Sequence, residues 1–228
     1  MGIFNYDGPL MHFLNKLSDV IILNILFLIC CIPIFTIGAS CTAMYSVTLK
    51  MAKNEESYVA KSFFKSFKEN FKISTVCWLI IAVIGVLLFI DYRIAPQMFP
   101  SISFAVQAVF AALFILLAIV FIYIFPYIAR FENTIKNTFK NAVLIGILNL
   151  SFTLLMLVIS IGVPVISSFI GLQISGIFWI LLGFTLIAYV NSIFFRKVFY
   201  KYEPHEEGEP EDITLKDIVT SDENEKFR

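Results

Sequence analysis

Charge is scarce in this chain. Only 15% of its 228 residues are Asp, Glu, Lys or Arg, there are two histidines, and the formal net charge is zero. Soluble domains carry about 25% charged residues, and a chain this poor in them lacks the polar surface to face water on all sides. The 59% hydrophobic content and the mean hydropathy of +0.85 exclude intrinsic disorder as well. Metal ligands are equally thin. Cys30, Cys31, Cys41 and Cys77 form no CxxC pair, and only His12 and His205 could assist them. Zinc sites need Cys, His and carboxylates at short spacings, so no metal site is expected and the cysteines read as small packing residues. No Walker or dinucleotide fingerprint is present. With almost no His or carboxylate in the apolar body, general acid–base chemistry has no supply, and neither catalytic residues nor a cofactor are expected. Met1 to Ser18 lack a basic region followed by a small-residue cleavage site, so no cleavable signal peptide is expected.

Long apolar runs are what the chain does have. Five stretches approach the ~20 residues that cross a bilayer as helix. They cover about 20–37, 73–90, 102–128, 143–163 and 169–195. None alternates with period two, which excludes a membrane β-barrel. The expected fold is an all-α membrane protein: a polytopic membrane domain over 1–202 with five transmembrane helices, then an acidic tail over 203–228. Lys and Arg concentrate in three connecting segments, at 50–72, at 130–140 and after 195. Cytoplasmic loops carry that excess. Five crossings then put the N-terminus outside and the C-terminus in the cytoplasm.

The first apolar segment is the least regular. Pro33 lacks an N–H and clashes with the preceding turn, so a kink or break is expected there. Gly38 permits a helix end or a close backbone approach. Asp19, Asn24, Thr36 and Ser40 are polar groups in or beside the same run, and polar groups at membrane depth are functional candidates by default. Asp19 reads equally as a plain helix N-terminal carboxylate. Other polar residues such as Gln107, Asn149, Thr153 and Asn191 read as helix-packing groups.

Two basic segments have an amphipathic pattern. At 100° per residue, Val59, Phe63, Phe64, Phe67 and Phe71 share one arc, while Lys61, Lys65, Lys68 and Lys72 share the adjoining one. That is the pattern of an interfacial helix with rings in the acyl boundary and ammonium groups at the headgroups of an anionic inner leaflet. A docking helix for a partner's cytoplasmic domain is the sharper reading. Nucleic-acid binding is not expected of so short a run joined to a membrane span. The pattern returns with Lys136 and Lys140 at an offset of 68 residues, Phe63 facing Phe131 and Phe71 facing Phe139. This reads either as a parallel repeat of helix-plus-hairpin units or as two independent basic segments selecting Phe and Lys.

Several of these motifs occur together elsewhere. Phe4-Asn-Tyr-Asp7-Gly-Pro9, Leu17-Ser-Asp19, Cys31-Ile-Pro33-Ile-Phe-Thr36-Ile-Gly38-Ala-Ser40, Tyr127-Ile-Ala-Arg130-Phe131-Glu-Asn and Ile135-Lys-Asn-Thr-Phe139-Lys140-Asn form one such set. On them the chain resembles the YesL family of small bacterial membrane proteins, over most of its length to about residue 200. The family has no settled biochemical activity. The resemblance implies a carbohydrate-use setting beside ABC-type oligosaccharide importers, and it supplies no catalytic residues.

The expected function is therefore a non-enzymatic accessory, assembly or regulatory partner of carbohydrate uptake, with an ABC-type sugar importer subunit as the candidate partner. The alternative is a solute transporter or channel subunit, which implies a homo-oligomer because five helices make a thin wall. The net charge of zero is itself a cancellation. Residues 203–228 hold ten acids and three bases, −7, and the preceding residues hold 14 bases and seven acids, +7.

Overall fold

The structure, a computed structural model, describes residues 9–53, 55, 58–98, 103–169 and 172–202. Of these, 93% are helical and none lies in a strand. The chain divides into two compact units, Met1–Val198 and Phe199–Arg228. Of the second only 199–202 are described, where Tyr202 N donates to Phe199 O at 2.8 Å. The acidic tail over 203–228 lies outside the described residues.

Among the described residues, eight helices follow in chain order: α1 Pro9–Cys31, α2 Ile37–Ala52, α3 Val59–Met98, α4 Ser103–Arg130, α5 Ile135–Leu148, α6 Leu150–Phe169, α7 Leu172–Phe178 and α8 Phe184–Tyr200. A 3₁₀ turn, Ile34–Thr36, precedes α2, and a π-helical turn, Trp179–Gly183, joins α7 to α8. Among the described residues, five segments are long and apolar enough to cross a membrane: Leu14–Cys31, Val59–Ala95, Phe104–Arg130, Leu150–Phe169 and Ser175–Tyr200. Val83, Val86, Leu87 and Phe89 on α3 are each more than half exposed. A contiguous apolar face of that kind belongs against lipid.

The core is α2. It is too short for the spanning set, yet eleven of its sixteen residues are buried, including Gly38 through Met44 without interruption. Small side chains let neighbouring backbones approach. A Cβ at Gly38 would strike the Ser74 carbonyl and come within 2.6 Å of Trp78 Cβ. Hydroxyl pairs stitch the surrounding helices: Thr42 with Ser74 at 2.8 Å, Thr48 with Ser192 at 2.8 Å, and Tyr123 with Thr153 at 2.8 Å.

The contacts also fix directions. Along α8, Thr185 meets Met44, Ser192 meets Thr48, and Arg196 donates to Ala52 O at 3.0 Å. α2 and α8 are therefore parallel. On α1 the order reverses: Lys16 lies over the Tyr189 ring, while Asn24 contacts Trp179, Ile180 and Thr185. α1 runs antiparallel to α8 and hence to α2. The break at Pro33 is a hairpin turn, not a kink in one continuing span. This corrects the expected topology. With α1 reversed, its first turn lies at the same end of the bundle as Lys50, Lys61 and Arg196, not at the opposite end.

Other boundaries differ from the sequence reading. The segment expected to lie as a separate interfacial helix is the first third of α3, one continuous helix of 40 residues. No Gly or Pro lies between Val59 and Ile84 to break the helix. Its rings also turn inward: Phe63 is fully buried and stacks on Phe67, which packs on Phe71; only Phe64 is exposed among them. The fourth apolar run, 143–163, is divided at Asn149 (φ −120, ψ 47) between α5 and α6. At the 68-residue offset, Phe63 is helical whereas Phe131 lies in the non-helical stretch 131–134, so the two blocks share a helical register only from Phe67 and Ile135 onward.

Candidate functional site

The α1–α2 turn is built from apolar residues. Ile32, Ile34 and Phe35 are 77%, 74% and 52% exposed, so the turn faces an apolar phase rather than water. A turn there must find partners for its own backbone, and several of its groups are paired locally. Pro33 has no N–H to satisfy. Thr36 Oγ1 shares its proton between Cys30 O and Pro33 O, both at 2.6 Å, Thr36 N donates to Pro33 O at 3.0 Å, and Trp78 Nε1 donates to Ile34 O at 2.8 Å. The indole thereby fixes the turn beside the middle of α3.

Asn24 serves the second irregular element. A π turn leaves carbonyl and amide groups out of the usual i→i−4 ladder. Asn24 Nδ2 donates to Trp179 O at 3.0 Å and Ile180 O at 2.7 Å, and its Oδ1 accepts from Thr185 N at 3.0 Å. Asn24 is fully buried while doing so. Among the sequence candidates, then, Asn24, Pro33, Thr36 and Gly38 form one framework that shapes the hairpin and ties it to α3 and α8. Ser40 is fully buried beside Cys31. Asp19 is half-buried on α1, apart from this framework. Lys61, Lys65, Lys68, Lys72, Lys136 and Lys140 are all exposed.

The hairpin also leaves room. It stops beside Trp78, whereas α3 continues for about 30 Å beyond that residue. Against the N-terminal half of α2, between α3–α4 and α6–α8, lies a cavity of about 830 Å³. No charged residue lines it; Cys41, Tyr45, Ser160, Trp78 and Trp179 supply its few polar atoms. Both indole N–H groups are already committed, Trp78 to Ile34 O and Trp179 to Ser167 Oγ at 3.0 Å. One polar corner remains. Asn191, 1% exposed, donates from Nδ2 to Ser160 Oγ at 3.0 Å. Its Oδ1 meets no donor within hydrogen-bonding distance. None of the sequence candidates lines this cavity. It joins residues from six helices and the π turn, and the sequence signal for it was the presence of Ser160, Asn191 and two tryptophans in otherwise apolar runs.

A further network explains one of the motifs that carry the resemblance. Tyr127 Oη accepts from both Asn133 Nδ2 and Asn141 Nδ2, each at 2.7 Å, and its ring stacks on Phe131 at 4.9 Å. This ties the 131–134 loop to α4 and α5. Among the described residues no cluster of His, Cys, Asp and Glu could hold a metal ion.

The fold and this internal stitching define a multi-pass helical membrane protein with an apolar central cavity. A family model described as "Protein of unknown function, DUF624" matches residues 20–92, which cover most of α1, the hairpin turn, α2 and most of α3. The uncharacterised protein YesL of Bacillus subtilis (strain 168) is 32% identical over 100 residues, 42% of this chain and 48% of the relative, so the match spans about half of that protein. The chain is thus similar to both over part of its length. No solved structure matches.

Proposed function

We propose that the chain is a non-enzymatic protein of the bacterial cell membrane that acts as an accessory of oligosaccharide uptake, docking on an ABC-type importer subunit through its basic face. The observation that carries this reading is the distribution of charge. Lys61, Lys65, Lys68, Lys72, Lys136 and Lys140 are all exposed, and the cavity has no charged lining. A sugar carrier needs several hydrogen-bonding groups around one central site, and the cavity wall has few. An exposed lysine surface suits the anionic inner leaflet and a partner's cytoplasmic domain.

In this reading the basic end is cytoplasmic, by the Lys/Arg excess of cytoplasmic loops. The start of α1 and the end of α2 are then cytoplasmic too, and the α1–α2 hairpin is re-entrant. Native-membrane crosslinking from lysines 61, 65 and 136, followed by mass spectrometry, tests the partner. Enrichment of an importer subunit over a matched unrelated membrane protein is the expected result. Efficient crosslinking to lipid-exposed neighbours with no importer subunit enriched would remove the proposal.

A further inference from the structure

The cavity has a defined chemistry that the accessory reading does not use. Its walls are apolar and uncharged, and Phe121, Ile161 and Phe184, which line it, are 40%, 57% and 40% exposed. It therefore opens sideways to the surrounding apolar phase. At about 830 Å³ it falls in the range of small-molecule sites, which combine apolar walls with a few placed polar groups. Here those groups are Ser160 and Tyr45, backed by the buried Asn191 amide. Ser160 Oγ accepts from Asn191 and keeps its own proton, for which no acceptor is present among the described residues. A hydroxyl donor at the end of a dry chamber matches an uncharged oxygen acceptor. It does not match a phosphate or carboxylate, which would be desolvated without a cation to pair it.

We propose that this chamber binds a neutral membrane lipid: a long apolar body with one uncharged hydroxyl- or carbonyl-bearing head, the head held at Ser160 and Tyr45. The ligand enters laterally from the bilayer and lies over the faces of Trp78 and Trp179. The proposal rests on membrane embedding and not on the partner proposed above, so either can fail alone.

The chain's two tryptophans both line the chamber, so intrinsic fluorescence reports its occupancy. The full chain is placed in phosphatidylglycerol nanodiscs containing dibrominated diacylglycerol, a brominated long-chain isoprenoid alcohol, or dibrominated phosphatidylglycerol. The expected result is saturable quenching by one of the neutral probes at a mole fraction at least about fivefold below that of the anionic one, the scale of one well-placed hydrogen bond. Which neutral probe acts distinguishes the two sources. Ser160→Ala is expected to weaken the selective quenching. Gly85→Leu is expected to abolish it by filling the chamber, since a Cβ at Gly85 meets only Leu117 Cδ2, at an ordinary 3.5 Å. Equal quenching by all three probes would overturn the proposal, because the chamber would then hold ordinary bilayer chains. So would unchanged selectivity in a folded Gly85→Leu protein, or absent quenching together with crosslinks between copies, which would assign the chamber to a second copy of the chain.

Discussion

At the scale of single residues, the polar groups inside this protein repair backbone irregularities. Asn24 is the clearest case, because its three bonds all go to main-chain atoms of the π turn and the residues just after it. Replacing it by leucine keeps the branched shape and orphans two carbonyls and one amide. Interhelical hydrogen bonds in membranes average only about 0.6 kcal/mol, but buried groups left unsatisfied cost about 1–3 kcal/mol each. Asn24→Leu is therefore expected to destabilise the protein by about 2 kcal/mol or more, seen as a lower Tm in detergent. Gly38 makes a complementary test. Its Cβ position is already occupied by the Ser74 carbonyl and Trp78 Cβ, and backbone cannot step aside as a flexible side chain can. Gly38→Ala is expected to lower stability by about 1–3 kcal/mol, the usual cost of overpacking. Gly162→Ala, where a Cβ meets nothing within 4 Å, is expected to leave the same Tm unchanged. Both Asn24 and Gly38 stood out in the sequence, for the reason that polar or flexible residues are rare in apolar runs. Their roles did not, since the partners of Asn24 are about 160 positions away and belong to a π turn that no local pattern announces.

Among the elements, apolar length was legible and connection geometry was not. The five spanning helices follow directly from hydropathy, and Pro33 announced a break. Hydropathy carries no sign of direction, however, so the chain after Pro33 could continue or return; the choice is made by Thr36, Trp78 and the small residues of α2, which act only in three dimensions. The same limit explains why the Lys-rich segment of α3 read as an independent helix. Its composition changes at residue 72, but its backbone does not. The Tyr127-to-Asn141 segment stood out as part of a resemblance, and Tyr127, Asn133 and Asn141 now have a physical task in it. Tyr127→Phe removes the single oxygen that receives both amides. It is expected to release the 131–134 connection while leaving the hydroxyl pair between Tyr123 and Thr153 intact. Hydrogen exchange should then accelerate across 131–141, with little change at 119–125. Uniform acceleration along α4 would instead mean that Tyr127 supports the whole helix rather than the loop.

For the molecule as a whole, the position of the α1–α2 turn decides the topology. On α3, Lys72 and Asp91 bound the uninterrupted apolar stretch and lie about 28 Å apart along the axis, close to the roughly 30 Å of a bilayer core. Trp78, which holds the turn through Ile34 O, is only about 9 Å from Lys72 on that scale and about 20 Å from Asp91. Such a turn lies nearer the Lys72 end of that stretch than its Asp91 end. It explains the apolar Ile32-Pro33-Ile34-Phe35 sequence, the donation from Thr36 and Trp78 to its carbonyls, and the open volume beyond α2. α1 is long and apolar enough to cross a membrane, yet its partner α2 returns to the end from which α1 came. Single cysteines at Asn15, Lys65 and Gln97, each exposed, test this with a membrane-impermeant maleimide on intact cells, scored against the unmodified chain to remove the signal of its native cysteines. The expected outcome is labelling at Gln97 alone, with Asn15 and Lys65 reached only after permeabilisation. Labelling of Asn15 together with Gln97 on intact cells would restore the five-crossing arrangement with an external N-terminus. A re-entrant hairpin predicts Asn15 to behave as Lys65 does, because the contacts of Lys16 with Tyr189 and of Ala52 with Arg196 hold both helix ends at one end of the bundle.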